Sequence, residues 1–273
     1  MRRLACALAL AAAALLAAAC TRTSDEGSAA HPLVYDGSTS ISNRILPDAL
    51  ARFQERTGLL VQVRTSGAGK GLEAVLAGRA DVAGVARVLS HEELAGHPYV
   101  QIIGYDALAV WVNGQNPIRG LTQAQLEAIF TGKLTSWHEL GGPDRPVIGC
   151  TEFRSSRRAT VDAFAALALE GSTYAPGIRE LEDPSDCLRL VAEEPGGITP
   201  ASVAYAIPGV RTIPVNGLEP TPHNVRANTY LLTRPLLLVS REEPRGALRQ
   251  LFDFLLSPEG QQIVARNGFV PAR

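Results

Sequence analysis

TSGAGKGLEAVLAGRADVAGVAR, residues 65–87, is the stretch whose reading decides the fold. It opens on a loop of small and hydroxyl residues, Thr65-Ser66-Gly67-Ala68-Gly69-Lys70. Leu72, Val75 and Leu76 then recur at helical spacing, and Gly78 closes the helix. Asp81 to Ala86 follows as a strand, and Leu60 to Arg64 just before the loop reads as another. Strand, loop, helix and strand in that order form an α/β unit. The glycines do not make a nucleotide loop. No four-residue spacer precedes Gly69-Lys70, and no Ser or Thr follows the lysine.

The same grammar continues outward. Leu33 to Tyr35 predicts a strand ending at Asp36-Gly37, and Leu46, Leu50 and Phe53 a helix stopped by Gly58. Ser90 with Glu93, and Thr122 with Gln125, read as capping boxes. Val100 to Ile103, Ala107 to Val112 and Val147 to Thr151 read as strands, Arg158 to Leu169 as an Ala-rich helix, and Leu188 to Ala192 as a short one. Pro244 and Pro258 each open a helix near the end of the sequence. The alternation implies parallel α/β sheets with helices on both faces. Two long extended runs, 106–113 and 229–239, are spaced as two crossings between lobes would be, and a cleft between lobes is where a ligand would sit.

Three loops ahead of helices carry the chemistry. They are Asp36-Gly37-Ser38-Thr39-Ser40-Ile41, the loop at 65–70, and Arg154-Ser155-Ser156-Arg157-Arg158. A helix start offers unpaired N–H donors and roughly half a positive charge. Hydroxyls add donors, and glycine lets the backbone come close. Converging loops of this kind form an oxyanion site. Capping alone would explain any one of them. Arginines at a helix start run against the dipole, and a bound anion would account for Arg154, Arg157 and Arg158.

Arg2 and Arg3, the apolar run Leu4 to Leu16, and Ala17-Ala18-Ala19 describe a secretory signal, too short to span a bilayer. Cys20 then reads as a lipid-bearing cysteine, although Ala17 stands where leucine is usual. The polar stretch 21–31 reads as a tether. An ordinary cleaved signal with a chance cysteine is the alternative. With 26 basic and 27 acidic residues the chain has no basic field for nucleic acid. Cys150 and Cys187 remain for a disulfide in an oxidising compartment, or for two buried thiols. Five scattered histidines make no metal set, and no activated nucleophile stands out, so neither cofactor nor catalysis is expected.

The chain resembles the phosphate-binding proteins of bacterial phosphate ABC transporters along most of its length. DGSTSI at 36–41 and the stretch 65–87 are similar to that family's first and second ligand loops. GYDALAVWVN at 104–113 is similar to its first crossing, and NPIRGLTQAQLEAIFTGKLTSWHELGGPDRPV at 116–147 is the longest match. RPLLLVS and FDFLLSPEGQQIVARNGFVP complete it. The resemblance implies an α/β, two-lobed periplasmic-binding-protein-like fold of type II. Lobe 1 would be 32–108 plus 235–273 and lobe 2 would be 109–234, after a signal at 1–20. It implies a lipoprotein outside the inner membrane that captures phosphate or a related oxyanion for an ABC permease. A sensor or adhesion protein on the same fold is the alternative.

Carried over residue by residue, the ligand set is Thr39, Ser40, the N–H of Ile41, Ser66 and Ser155. Ser156, Arg154 and Arg157 stand in a third loop that departs from the family's Arg-x-x-Gly-Ser-Gly-Thr. Thr151 occupies the place of the leading arginine, and Ala86 that of an acceptor. Donors from three loops would meet in one cleft, with Arg157 or Arg154 reaching in. Without an acceptor at 86, sulfate should be tolerated better than in the family.

Overall fold

The computed structural model describes residues 32–273. The expected signal, Cys20 and the tether lie outside the described residues. In chain order the elements are β1 (Leu33–Gly37), α1 (Leu46–Thr57), β2 (Val61–Arg64), α2 (Ala68–Leu76), β3 (Val82–Val85), α3 (His91–Leu94) and β4 (Tyr99–Asn113). There follow α4 (Gln123–Phe130), β5 (Ile148–Glu152), α5 (Ala159–Ala168), β6 (Arg179–Leu181), α6 (Pro184–Glu193), β7 (Gly197–Ser202) and β8 (Val210–Ile213). The last are α7 (Pro222–Arg226), β9 (Thr233–Ser240), α8 (Gly246–Leu256), α9 (Pro258–Arg266) and β10 (Val270–Pro271).

Local chemistry sets the helix ends. Gly58 takes φ 70° and lets α1 stop in the left-handed region. Both capping boxes form. Ser90 Oγ accepts the Glu93 N–H over 3.2 Å and the Glu93 carboxylate accepts the Ser90 N–H over 2.9 Å. Thr122 and Gln125 repeat the exchange at 3.2 and 2.8 Å. The helix expected from Leu188 begins earlier. Pro184 sits in its first turn, and the Asp183 carboxylate accepts the Ser185 N–H over 2.9 Å.

The fold is two-lobed α/β, but its sheets are mixed rather than parallel. β2-β1-β3 run parallel, as do β7-β5-β6, with β9 and β4 between the two sets. β9 is antiparallel to both β3 and β4, and β4 is antiparallel to β7. The direction follows from the path: a chain that leaves a lobe along β4 must return along β9 in the opposite sense. The strands expected at 100–103 and 107–112 are one strand, irregular between Ile102 and Gly104. The run expected from residue 229 becomes strand only at Thr233, because the Thr229 and Tyr230 N–H groups close a turn on the Asn224 carbonyl.

Two large apolar cores result, beside a small cluster of Ala109, Trp111, Leu188, Ala201 and Tyr205. One gathers Tyr35, Phe53, Leu72, Val82, Leu238, Phe252 and their neighbours; the other gathers Leu108, Phe130, Trp137, Phe164, Ile198 and Tyr230. In the second core Phe130 meets Phe164 edge-on at 4.8 Å and Tyr174 at 6.1 Å, geometries favoured by ring quadrupoles. Beside this core a disulfide joins Cys150 on β5 to Cys187 on α6, with Cα atoms 5.7 Å apart. It ties a strand to the helix that covers it.

Candidate functional site between the lobes

β1 brings Asp36 and Gly37 to the end of the first sheet, where the Ser38 N–H donates to the Gly84 carbonyl over 2.8 Å. Thr39 and Ser40 are thereby buried. The Ile41 N–H is already bonded to the Ser38 carbonyl at 3.1 Å, so the turn itself uses the donor expected to face a ligand. The Ser40 hydroxyl oxygen accepts from Arg234 Nη2 over 3.1 Å. No acceptor takes its proton among the described residues.

Arg234 is the residue the sequence reading missed. The register of β4 with β9 sets Asp106 opposite Arg234. Nε and Nη2 of Arg234 reach Asp106 Oδ2 at 3.0 and 2.8 Å, Nη1 donates to Thr160 Oγ1 at 3.2 Å, and Ser202 donates to Asp106 Oδ1 at 2.7 Å. The two side chains are only 1% and 0% exposed. Burial pushes the Asp106 carboxyl up; Arg234 and Ser202 pull it down. The signal was in plain view. One Asp and one Arg interrupt two apolar runs, DALAVWV and RPLLLV, and such intrusions need partners.

Glu152 faces the same junction from the end of β5. It is 3% exposed, its Oε2 has no partner, and Arg158 Nε lies 3.7 Å from its Oε1. Burial pushes its carboxyl up, against the Thr160 hydroxyl and the charges of Arg158 and Arg234. Strand alternation turns the preceding Thr151 the other way, towards Tyr174 in the second core. The Tyr205 hydroxyl, also buried and unbonded, lies beside Thr39, and Arg44 stacks over its ring at 4.3 Å. Glu152, Tyr205, Thr39, Ser40 and Thr160 are therefore linked as neighbours around the buried Arg234.

The second and third loops meet each other but aim their polar groups elsewhere. Ser66 gives both its N–H and its hydroxyl to the Asp36 carboxylate, each at 3.0 Å. The Gly69 N–H donates to the Arg157 carbonyl over 3.3 Å. A Cβ at Gly69 would stand 2.8 Å from Arg157 Nε, so a side chain there would push the arginine aside. Arg157 itself holds φ 53°, and its exposed guanidinium lies 3.5 Å from Glu73. Arg154 bonds Glu180 through its backbone N–H at 2.7 Å and Nε at 2.8 Å, and the Tyr174 carbonyl through Nη1. Ser155 is exposed, and Ser156 donates to the Phe153 carbonyl. The expected entry of Arg154 or Arg157 into the cleft is thus corrected: Arg154 is held by Glu180, and Arg157 lies beside Glu73 on α2.

The sequence profile of the PBP superfamily domain matches residues 21–259. The chain belongs to the PBP superfamily. It is 28% identical over 256 residues to the phosphate-binding protein PstS of Bacillus subtilis, covering 90% of this chain and 82% of that one. A Clostridium perfringens protein assigned as a phosphate ABC transporter substrate-binding protein, solved with bound phosphate, superposes with a TM-score of 0.83 at 28% identity. That match covers 89% of this chain and 100% of the other. An ABC-type phosphate transport receptor from Vibrio cholerae gives 0.78 at 25% identity, over 87% and 99% of the two chains.

This PBP superfamily chain also carries a clasp between its lobes. Arg87 is 9% exposed. Its two terminal nitrogens pair with Glu93 at 2.7 Å each, while Nε reaches Asp162 on α5 at 3.2 Å. The Arg87 hydrogen bonds hold the Glu93 carboxyl below its usual range, and burial pushes Asp162 up. Among the described residues no group of His, Cys, Asp and Glu is arranged to hold a metal ion, and no helix is long and apolar enough to cross a membrane.

Proposed function

We propose that this chain is a solute-binding protein that captures phosphate for an ABC-type importer. The observation that carries the reading is the Arg234 network. Arg234 occupies the Ser40 oxygen as an acceptor, which leaves that hydroxyl proton free to point at an oxyanion, while Thr160, bonded to Arg234 Nη1, turns its own hydroxyl towards Glu152. Thr39 stands beside them, and α5 starts at the same junction with unpaired N–H groups. The likeness to phosphate-binding proteins over nearly the whole chain supports the same ligand. Glu152 supplies the acceptor that Ala86 lacks. Its unpartnered oxygen suits a ligand that brings its own proton, as hydrogen phosphate does and sulfate does not. This reverses the expectation of better sulfate tolerance.

In this reading the chain is exported by its N-terminal signal, held at the membrane by lipid on Cys20, and docks on a permease. No catalytic step is assigned to it. Calorimetry of the secreted protein against phosphate, sulfate, molybdate and an organic phosphate tests the reading. Heat with phosphate is expected, with little from sulfate. No heat with any oxyanion would overturn it. That outcome favours the sensor or adhesion reading, for which the internal bonding of Ser66, Arg154 and Arg157 speaks.

A further inference from the structure

The crossings have a reverse side. Side chains alternate along a strand, so the chain neighbours of the interlobe pair, Tyr105 beside Asp106 and Thr233 beside Arg234, face away from the cleft. There they floor a cavity of about 520 Å³. Its walls come from α7 with the turn after it (Val225, Arg226, Asn228) and from the C-terminal strand (Val270 onward), so they belong to both lobes. The volume falls within the range of small-molecule sites, roughly 300–1,000 Å³.

The lining divides by chemistry. Val225, Val270, Pro271 and the Tyr105 ring offer an apolar floor, while Arg226 and Arg273 stand at the rim. No Asp or Glu lines the cavity. Neither guanidinium meets a carboxylate within 4.0 Å among the described residues, although a dozen other arginines do. The Tyr105 hydroxyl and the Asn228 amide also lack hydrogen-bond partners among the described residues. An apolar floor beneath the unopposed Arg226 guanidinium and two spare polar groups fits one chemistry: a compact apolar body that ends in an anion.

We propose that this hinge-side cavity is a second binding site, for a small organic carboxylate with an aromatic or branched apolar body. It is separate from the oxyanion site and does not depend on that assignment.

The full chain, exchange-labelled on valine methyls, would be titrated with 4-fluorobenzoate and followed by fluorine and methyl NMR. We expect a dissociation constant below about 1 mM, with methyl shifts at Val225 and Val270. Arg226→Glu should weaken binding at least about fivefold and Arg226→Lys less than about twofold. Arg226 is exposed, so neither change disturbs a core. The neutral analogue 4-fluorobenzamide should bind at least about fivefold more weakly. No saturable binding, shifts at other valines only, equal affinity of the Arg226→Glu protein, or equal affinity for the amide would each overturn the proposal.

Discussion

Arg234 Nη2 donates to the Ser40 hydroxyl oxygen over 3.1 Å, and this contact fixes which way the serine proton can point. Ser40→Ala removes the hydroxyl and leaves the arginine paired with Asp106. The expected result is a loss of phosphate affinity of about tenfold, or about 1.4 kcal/mol, with thermal stability little changed. Calorimetry reads the first and a melting curve the second. Unaltered affinity would take Ser40 out of the site.

Arg234→Met leaves Asp106 buried without its counter-charge. Removing one partner of a buried pair costs about 3–5 kcal/mol, and urea unfolding should show a loss of that size. The double variant Arg234→Met with Asp106→Leu should regain most of it, because no lone charge is then left inside. A double variant no more stable than the single one would mean that the pair is not coupled as its geometry indicates.

Arg157 is expected to matter little to the ligand. Its guanidinium is exposed beside Glu73, so Arg157→Ala should change phosphate affinity less than about threefold. The residue's left-handed backbone carries a cost of about 1–2 kcal/mol that glycine escapes. Arg157→Gly should therefore melt no lower than the parent protein. A tenfold loss of affinity in either variant would restore Arg157 to the site.

Burial raises the Glu152 carboxyl above its unfolded value of about 4.3, so the native state holds a proton that the unfolded state has released. The resulting cost is absent below about pH 4, grows through the window between the two values and is complete above it. Glu152→Gln does not carry this cost. Its stability relative to the parent should match at low pH and rise towards neutral pH, measured by denaturation across the range. Glutamine also donates, so the preference for phosphate over sulfate should fall by about tenfold. A pH-independent difference, or an unchanged preference, would count against the role given to Glu152.

The disulfide closes a loop across a sequence separation of 37, which in the chain-entropy model stabilises by about 4 kcal/mol. Replacing Cys150 and Cys187 by alanine should lower stability by roughly that amount. Mass spectrometry of the secreted protein under non-reducing conditions should find no free thiol at either position.

The order of elements was legible because it rests on local signals: the stop at Gly58, the capping residues Ser90 and Thr122, and the helical spacing around Leu72. The mixed direction of the sheets was not, since no residue in β9 declares which strands it will join. At the proposed site, Thr39 and Ser40 could be singled out because they sit on a loop with a pattern. Arg234 and Glu152 could not, because their roles depend on contacts with residues far away in sequence. The arginines of the third loop misled for the same reason. Glu73 and Glu180, which neutralise them, are distant in the chain and invisible to spacing.

The buried pair of Asp106 and Arg234 also acts on the history of the chain. Neither residue can be exchanged alone without stranding its partner's charge in a closed interior, so drift at one position must wait for a matched change at the other. The two crossings are therefore locked as a couple, while the surface arginines of the third loop are free to vary. Lineages descending from this sequence would diversify their ligand loops long before they altered the pair beneath them.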